Sequence, residues 1–118
     1  MPGPDKTKQK RKDRIHLIYY LLVFDAGTNL LAGHLVDINE EGIRLMCREP
    51  FAEGSTHAFR MILPDNMDAA SRELSFTAQC AWCRNNFYSD FHGAGFRISD
   101  IDESHVTLIR RLITEFAY

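Results

Sequence analysis

Long apolar runs are absent from this 118-residue sequence. A helix that crosses a membrane needs roughly 18 or more consecutive apolar residues, and no stretch approaches that length. The charged beginning of the chain also lacks the apolar core of a secretory signal peptide. These absences lead us to expect a cytoplasmic protein that does not insert into a membrane.

Cysteines are few and odd in number: Cys47, Cys80 and Cys83. A disulfide framework in a secreted chain would need an even count, so reduced thiols are the better interpretation. Cys80 and Cys83 have the spacing of a zinc knuckle or a redox motif, but no second cysteine pair accompanies them. In a regular strand their sulfurs would also point to opposite faces. We therefore predict core cysteines and no metal site.

Signatures of catalysis are missing as well. The sequence has no P-loop and no serine elbow, and its five histidines show no metal-ligand spacing. The stretch "FHGAGF", residues 91–96, lacks the full glycine fingerprint and the βαβ setting of a dinucleotide-binding loop. A Cys and His pair that is distant in sequence stays open, but an enzyme is the less favoured class.

Net charge is only −2, but it is unevenly distributed. Residues 1–14 carry six cations against two carboxylates, which gives +4 and leaves −6 for the remaining 104 residues. Residues 1–13 have almost no apolar side chains and contain two prolines and a glycine, so we expect a basic arm that stays disordered until it binds something. Such an arm is suited to capture an anion or a phosphodiester, and a tail that only keeps the protein soluble is the open alternative.

Residues 14–118 are predicted to form a single domain that begins with β-structure. Six short segments are rich in β-branched and aromatic residues and are separated by Gly, Asn, Asp or Pro. In one segment Phe76, Ala78, Cys80 and Trp82 alternate with a second set of residues, which predicts a strand with one apolar face. The pattern indicates about six strands in one meander.

The end of the sequence has the pattern of an amphipathic helix over about residues 102–117. Apolar residues recur there at steps of three and four, after acidic residues and Ser104, which suit a helix start. A closed sheet leaves no exposed edges, and a helix can cover one of its openings. We therefore predict a six-stranded antiparallel β-barrel with a C-terminal α-helix and a disordered basic N-terminal arm.

The stretch "DINEEG" places Asp37, Asn39, Glu41 and Gly42 at the first, third, fifth and sixth places of a calcium-binding loop. The twelfth place of such a loop needs a bidentate glutamate, but here it is Arg48. The flanking segments are also predicted to be strands and not helices. A turn with an acid, an amide and a glycine that permits a tight bend is therefore the better interpretation.

Three segments together resemble the PilZ domain family: "KRKDR" at residues 10–14, "DINEEG" at residues 37–42, and a final helix after the "GAGF" strand at residues 93–96. That family has an Arg-x-x-x-Arg motif before its first strand and an Asp/Asn-x-Ser-x-x-Gly motif between early strands. The resemblance implies a six-stranded barrel from bacterial second-messenger signalling that binds cyclic di-GMP.

By position in these motifs, Arg14 matches the second arginine, Asp37 the leading acid or amide, and Gly42 the closing glycine. Two positions depart from the family's pattern, because Lys10 stands for the first arginine and Asn39 for the serine. Lysine meets phosphate as a point charge but has no planar fork, whereas an asparagine amide both donates and accepts hydrogen bonds. The resemblance implies that these five residues bind the nucleotide.

Three further residues complete the predicted ligand site. Arg11 adjoins Lys10 in the arm and can replace the missing arginine fork. Trp82 lies where some members of the family stack an aromatic ring on a guanine, and Arg84 follows two residues along the same strand. The alternative for Trp82 is a core position.

The expected function is a sensor and not an enzyme. Cyclic di-GMP would draw the basic arm onto the barrel, and the ordered arm would present a new surface to an effector protein. The competing hypothesis is a divergent PilZ-like adaptor that works through protein contacts and binds no nucleotide. Neither hypothesis includes DNA binding, a metal or a cofactor.

Overall fold

The computed structural model describes residues 15–16, 21–64, 67, 72–85 and 90–116. Within these residues the chain forms seven strands and one helix. In chain order they are β1 (Ile15–His16), β2 (Leu22–Asp25), β3 (Leu31–Ile38), β4 (Gly42–Cys47), β5 (Thr56–Ile62), β6 (Glu73–Asn85), β7 (His92–Ile101) and α1 (Glu103–Phe116). The predicted arm, with Lys10, Arg11 and Arg14, lies outside the described residues.

The strands close into an antiparallel barrel. They follow one another in the order β1, β3, β2, β5, β6, β7, β4, and β4 pairs also with β3. β1 pairs with the end of β3 and β2 with its beginning, so these two short strands together take the place of the first of the six predicted strands. The predicted six-stranded antiparallel barrel with a C-terminal helix is confirmed.

Aromatic side chains fill the centre of the barrel. Phe59 and Phe96 are fully buried and meet edge to face with ring centroids 5.1 Å apart. Phe51 packs against both rings from the loop between β4 and β5. Each buried phenylalanine or leucine stabilises the fold by about 1.5 to 3 kcal/mol relative to an exposed one. The β-sheet therefore owes its closure to this apolar interior.

Helix α1 is anchored at its beginning and along one face. Asp102 precedes the helix and accepts hydrogen bonds from the backbone N–H and the hydroxyl of Ser104. These bonds lower the pKa of Asp102, so Asp102 caps the helix and Ser104, the predicted start signal, supports it from the first turn. Ile109 and Leu112 are buried against the barrel. No helix in the described parts of the chain has the length and apolar character needed to cross a membrane.

A β-bulge in β6 changes which face its side chains occupy. The register with β7 shifts between Cys80, which pairs with Phe96, and Trp82, which pairs with Gly95. The predicted alternation that puts Trp82 on the inner face with Cys80 is therefore wrong, because the extra residue turns Trp82 outward. Cys83 consequently packs against the core on the same side as Cys80, and the expectation of opposite faces is also wrong.

The prediction that the cysteines are core residues is confirmed, since Cys47 and Cys80 are 1% exposed and Cys83 packs against the core. Burial raises the pKa of the Cys47 thiol to about 12, and the neighbouring Cys83 and Cys80 thiols add to the shift. Burial raises the pKa of Cys80 as well. Both thiols are therefore protonated and unreactive near neutral pH.

We predict that iodoacetamide at about pH 8 leaves Cys47 and Cys80 unmodified while it fully alkylates the urea-unfolded chain, as followed by mass spectrometry. The buried neutral thiol of Cys47 also links stability to pH. Its contribution is complete below the ordinary pKa of 9.0 and is lost as the pH rises toward 12, because only the unfolded chain ionises easily in that range. Equal alkylation rates in the native and unfolded protein would contradict this assignment.

Candidate functional site

Asn39 builds the turn between β3 and β4. Its side-chain Oδ1 accepts hydrogen bonds from the backbone N–H groups of Glu41 at 2.8 Å and Gly42 at 2.9 Å. The Asn39 N–H in turn donates to the carbonyl of Gly42 at 3.0 Å. Asparagine is suited to this position because its short side chain can accept from the backbone two and three residues ahead. The amide oxygen is thus committed to the turn, and the –NH₂ group is the part of Asn39 left to face a ligand.

Gly42 does not provide the bend that the sequence suggested. It begins β4, pairs with Arg97 of β7, and is buried. The described residues with a positive φ are Asn29 and Gly54, so the turn uses no left-handed glycine. The bend comes instead from the hydrogen bonds to the Asn39 side chain.

Asp37 is buried and ion-paired. The residue is 1% exposed, and its Oδ2 lies 2.6 Å from Nη2 of Arg44, which is directly opposite on β4. A bulge between Leu35 and Asp37 interrupts the alternation of β3, so Asp37 shares the outer side of the sheet with Arg44. In this state the carboxylate predicted to accept from guanine is held by an arginine.

One row of outward-facing positions runs from Asp37 across four neighbouring strands. The register aligns Asp37 with Arg44, Arg44 with Gly95, and Gly95 with Trp82. Three strand spacings separate the ends of the row, which is about 14 Å. Two of the predicted ligand residues, Asp37 and Trp82, therefore stand at opposite ends of one row on the barrel surface.

Trp82 lies flat across the glycines of β7. A Cβ atom built on Gly95 would overlap the indole nitrogen and the adjoining ring carbons of Trp82, whereas one built on Gly93 would lie 3.7 Å from the ring in ordinary contact. The guanidinium of Arg84 covers the ring at 5.3 Å from its centroid. Trp82 is half-buried on the outer surface, so the alternative of a core tryptophan does not hold.

A groove of about 720 Å³ opens beside Trp82. The turn at residues 39–41 lines one side of it, and residues 81–82 of β6 and 95–98 of β7 line the other. Volumes between about 300 and 1,000 Å³ are typical of small-molecule sites. The groove therefore brings Asn39 and Trp82 together, with Asp37 and Gly42 outside its lining.

β1 brings the chain from the arm to this groove. Ile15 pairs with Ile38 and His16 with Asp37, so the chain enters the barrel beside the β3–β4 turn. Arg14 directly precedes Ile15, and neighbouring Cα atoms are about 3.8 Å apart. Chain connectivity thus starts the basic arm next to the groove, although Lys10, Arg11 and Arg14 themselves lie outside the described residues.

Two arginines at the site were missed by the sequence reasoning. Arg97 is exposed and lines the groove, and its place after the inward-facing Phe96 in "GAGFR" was a signal that could have identified it. Arg110 of α1 binds both carboxylate oxygens of Glu40, at 3.1 and 3.3 Å, which raises the pKa of Arg110. No local sequence pattern predicts this contact, because the two residues are 70 positions apart.

The family model described as PilZ domain matches residues 6–115, nearly the whole chain. The protein therefore belongs to the PilZ domain family. No curated protein sequence matches it significantly.

Two solved structures are similar to this fold. One is the inhibitor of motility MotI/DgrA of Bacillus subtilis, with a TM-score of 0.71 and 15% identity over 95% of this chain. This chain covers 54% of that structure, about half its length. The other is the PilZ domain of YcgR from Escherichia coli with c-di-GMP, with a TM-score of 0.65, 14% identity, and 92% of both chains covered. At these identities the likeness shows the fold alone.

We predict that Gly95→Ala displaces Trp82, because the new methyl group and the indole need the same space. The expected result is a shifted tryptophan emission and a loss of about 1 to 3 kcal/mol in the free energy of unfolding by urea. Trp82 is the one tryptophan of the sequence, so its emission reports this site directly. Gly93→Ala is the matched control and should leave the emission in place, and identical spectra for both variants would refute the packing described here.

Proposed function

We propose that this protein is a cytoplasmic cyclic di-GMP sensor and adaptor, in which the nucleotide draws the basic arm onto the groove beside the β3–β4 turn. The observation that carries the proposal is the pairing of Ile15 with Ile38, which starts the arm at the mouth of the groove. Membership of the PilZ family and the likeness in fold to a domain solved with c-di-GMP support it. The protein acts by binding and not by catalysis.

The arm supplies the cations that the ligand's two phosphates need. Arg14 is the residue nearest the barrel, and its planar fork suits O6 and N7 of a guanine. Lys10 and Arg11 follow along the arm and meet phosphate oxygens. Arg97 adds a fixed cation from the barrel side of the groove, so the site has a guanidinium that does not depend on the arm.

The barrel supplies the surface for the bases. Trp82 offers a half-exposed aromatic ring, and a base that stacks on it takes the place of the Arg84 guanidinium or lies beside it. The –NH₂ group of Asn39 donates to the ligand while its oxygen holds the turn. Asparagine thus keeps the acceptor role that a serine hydroxyl can also fill in such a turn.

Asp37 makes nucleotide binding conditional on Arg44. Its carboxylate can accept from N1 and N2 of guanine only if it shares or releases the ion pair at 2.6 Å. A guanidinium displaced from a buried carboxylate needs another anion, and a phosphate of the ligand is suited to that role. We propose that Arg44 exchanges Asp37 for the ligand.

The second candidate function is a PilZ adaptor that binds protein partners without nucleotide. The burial of Asp37 and its pairing with Arg44 favour this alternative, because they enclose the carboxylate and hold its Oδ2 within the protein. The presence of Lys10 in place of an arginine points the same way. Calorimetric titration of the full chain with cyclic di-GMP separates the two functions directly.

We predict that Arg14→Ala weakens cyclic di-GMP binding by about 1 to 3 kcal/mol, since it removes a charged hydrogen-bonding fork. Lys8→Ala is the matched control, because it removes one charge of the arm at a position outside the family's motifs. It should weaken binding less than Arg14→Ala does. Calorimetry at fixed ionic strength measures both dissociation constants. Equal losses would show that the arm acts by its net charge and that Arg14 has no specific contact.

We also predict that the double variant Lys10→Arg with Asn39→Ser binds cyclic di-GMP at least as tightly as the natural chain. The first change adds a planar fork and the second keeps an acceptor in the turn. If the natural chain does not bind cyclic di-GMP and the double variant does, the groove is intact but the protein is the nucleotide-independent adaptor. If the double variant folds normally and still does not bind cyclic di-GMP, this protein shares only its fold with the receptors.

A further inference from the structure

The outer face formed by β6, β7 and β4 has a regular arrangement of side chains. Along β7 the outward positions are Arg97, Gly95, Gly93 and, just before the strand, Phe91. The register sets Gly95 between Trp82 of β6 and Arg44 of β4, and Gly93 between Arg84 and Met46 in the same way. Gly93 forms the floor of a shallow trench beside the indole that covers Gly95, and longer side chains stand on both of its sides.

One arginine stands at each level of this trench: in order along the face, Arg97, Arg44, Arg84 and Arg48. Successive outward positions on a strand are about 6.8 Å apart, so the four levels span about 20 Å. We call these four residues the arginine stripe. They are half of the eight cations that follow residue 14, and all eight of those cations are arginines.

Two members of the stripe lie over aromatic rings. The guanidinium of Arg84 lies 5.3 Å from the centroid of Trp82, and that of Arg48 lies 4.9 Å from the centroid of Phe91. A guanidinium that contacts a ring through its face keeps the N–H donors of its edge for a carboxylate. Arg48 and Arg84 are both exposed, so a partner can reach these donors.

The stripe differs from the other arginines in its charge partners. Within the described part of the chain, no ion pair includes Arg48, Arg84 or Arg97, whereas Arg60 and Arg110 each meet a glutamate. Arg44 pairs with Asp37, whose carboxylate is buried. Positive charge is thus left exposed on one face of a body that otherwise carries an excess of carboxylates.

Carboxylates close both ends of the stripe. Glu40 and Glu41 flank the end at Arg97, and Glu49 and Asp90 adjoin the end at Arg48 and Phe91. A long polyanion laid along the stripe would meet these charges at both ends. A short segment with two or three carboxylates fits between them without repulsion.

The trench also has an apolar part. A cavity of about 230 Å³ lies between Trp82 and Phe91, and Leu45, Met46 and Gly93 contribute to its lining. An apolar side chain can fill this space while carboxylates on either side of it meet arginines. This combination of apolar and acidic side chains is available in a protein segment and not in a phosphate backbone.

We propose that the arginine stripe is the surface on which this protein docks an acidic segment of a partner protein, with carboxylates at alternate positions of an extended chain. Such carboxylates are about 6.8 Å apart, which is the distance between successive levels of the trench, and the long arginine side chains on either side of β7 can reach them. The proposal deepens the proposed adaptor function and rests on it. Trp82 and Arg97 border both the docking trench and the proposed nucleotide groove, so a ligand that stacks on Trp82 also changes the support of Arg84.

The test begins with a displayed library of linear peptides of about eight residues, since about six residues of strand cover 20 Å. Selection uses the immobilised full chain, and peptides that also bind Met46→Glu are removed. The best peptide is synthesised and its dissociation constant is measured by fluorescence anisotropy. An oligothymidylate of about ten nucleotides serves as the polyanion control.

We expect selected peptides with two or more Asp or Glu at alternate positions. Arg48→Gln should weaken their binding at least about tenfold, since it removes one bidentate contact of a charged pair. Arg111→Gln, an arginine of α1 away from the stripe, should leave it unchanged. Circular dichroism of each variant checks that the barrel is intact.

Three results would overturn the proposal: no enriched peptide, enriched peptides without acidic residues, or affinity unaffected by Arg48→Gln. Oligothymidylate binding that depends on Arg48, without acidic peptides that bind, would assign the stripe to nucleic acid instead. Calorimetry with cyclic di-GMP on Arg48→Gln separates this proposal from the previous one. If Arg48→Gln loses peptide binding but keeps its affinity for cyclic di-GMP, the result supports the docking surface independently of the nucleotide site. If the natural chain binds the peptide but does not bind cyclic di-GMP, the docking proposal holds and the sensor function fails.

Discussion

The contact between Trp82 and Gly95 decides what the outer face of the barrel can do. A single extra residue in β6 turns Trp82 out of the core, and the absence of a side chain at Gly95 lets the indole lie against the backbone of β7. The ring then lines both the groove proposed to bind nucleotide and the cavity of the proposed docking trench. The same bulge brings Cys83 inward to the core, so inner packing and outer chemistry depend on one irregularity.

Some polar groups of the candidate site bind other parts of the protein, and others are left to bind a ligand. The oxygen of Asn39 and the carboxylate of Asp37 are both engaged within the protein, one with backbone N–H groups and the other with Arg44. The groove offers the –NH₂ of Asn39 and the guanidinium of Arg97 as donors, beside the carboxylates of Glu40 and Glu41. The two donors are suited to phosphate and carbonyl oxygens, and both proposed ligands carry such oxygens or carboxylates.

The sequence predicted the barrel because its strands are regular in composition and separated by clear turn residues. It predicted the helix because the apolar residues of "HVTLIRRLITEF" repeat at steps of three and four. It failed at the bulges beside Asp37 and Trp82, since an extra residue in a strand leaves no local signature and reverses the face assignments that follow it. The burial of Asp37 and the contact of Arg110 with Glu40 were equally inaccessible, because both depend on residues that only the folded chain brings together.

The link between Glu40 and Arg110 joins the β3–β4 turn to the helix by one exposed ion pair. Water and dissolved ions screen such an exposed pair, so the link opens and closes readily. The buried side chains of Ile109 and Leu112 keep the helix on the barrel whether or not this ion pair is formed. The ion pair therefore fixes only the position of the turn relative to the helix, and a change of charge at the turn or a rise in ionic strength is enough to free the turn from the helix.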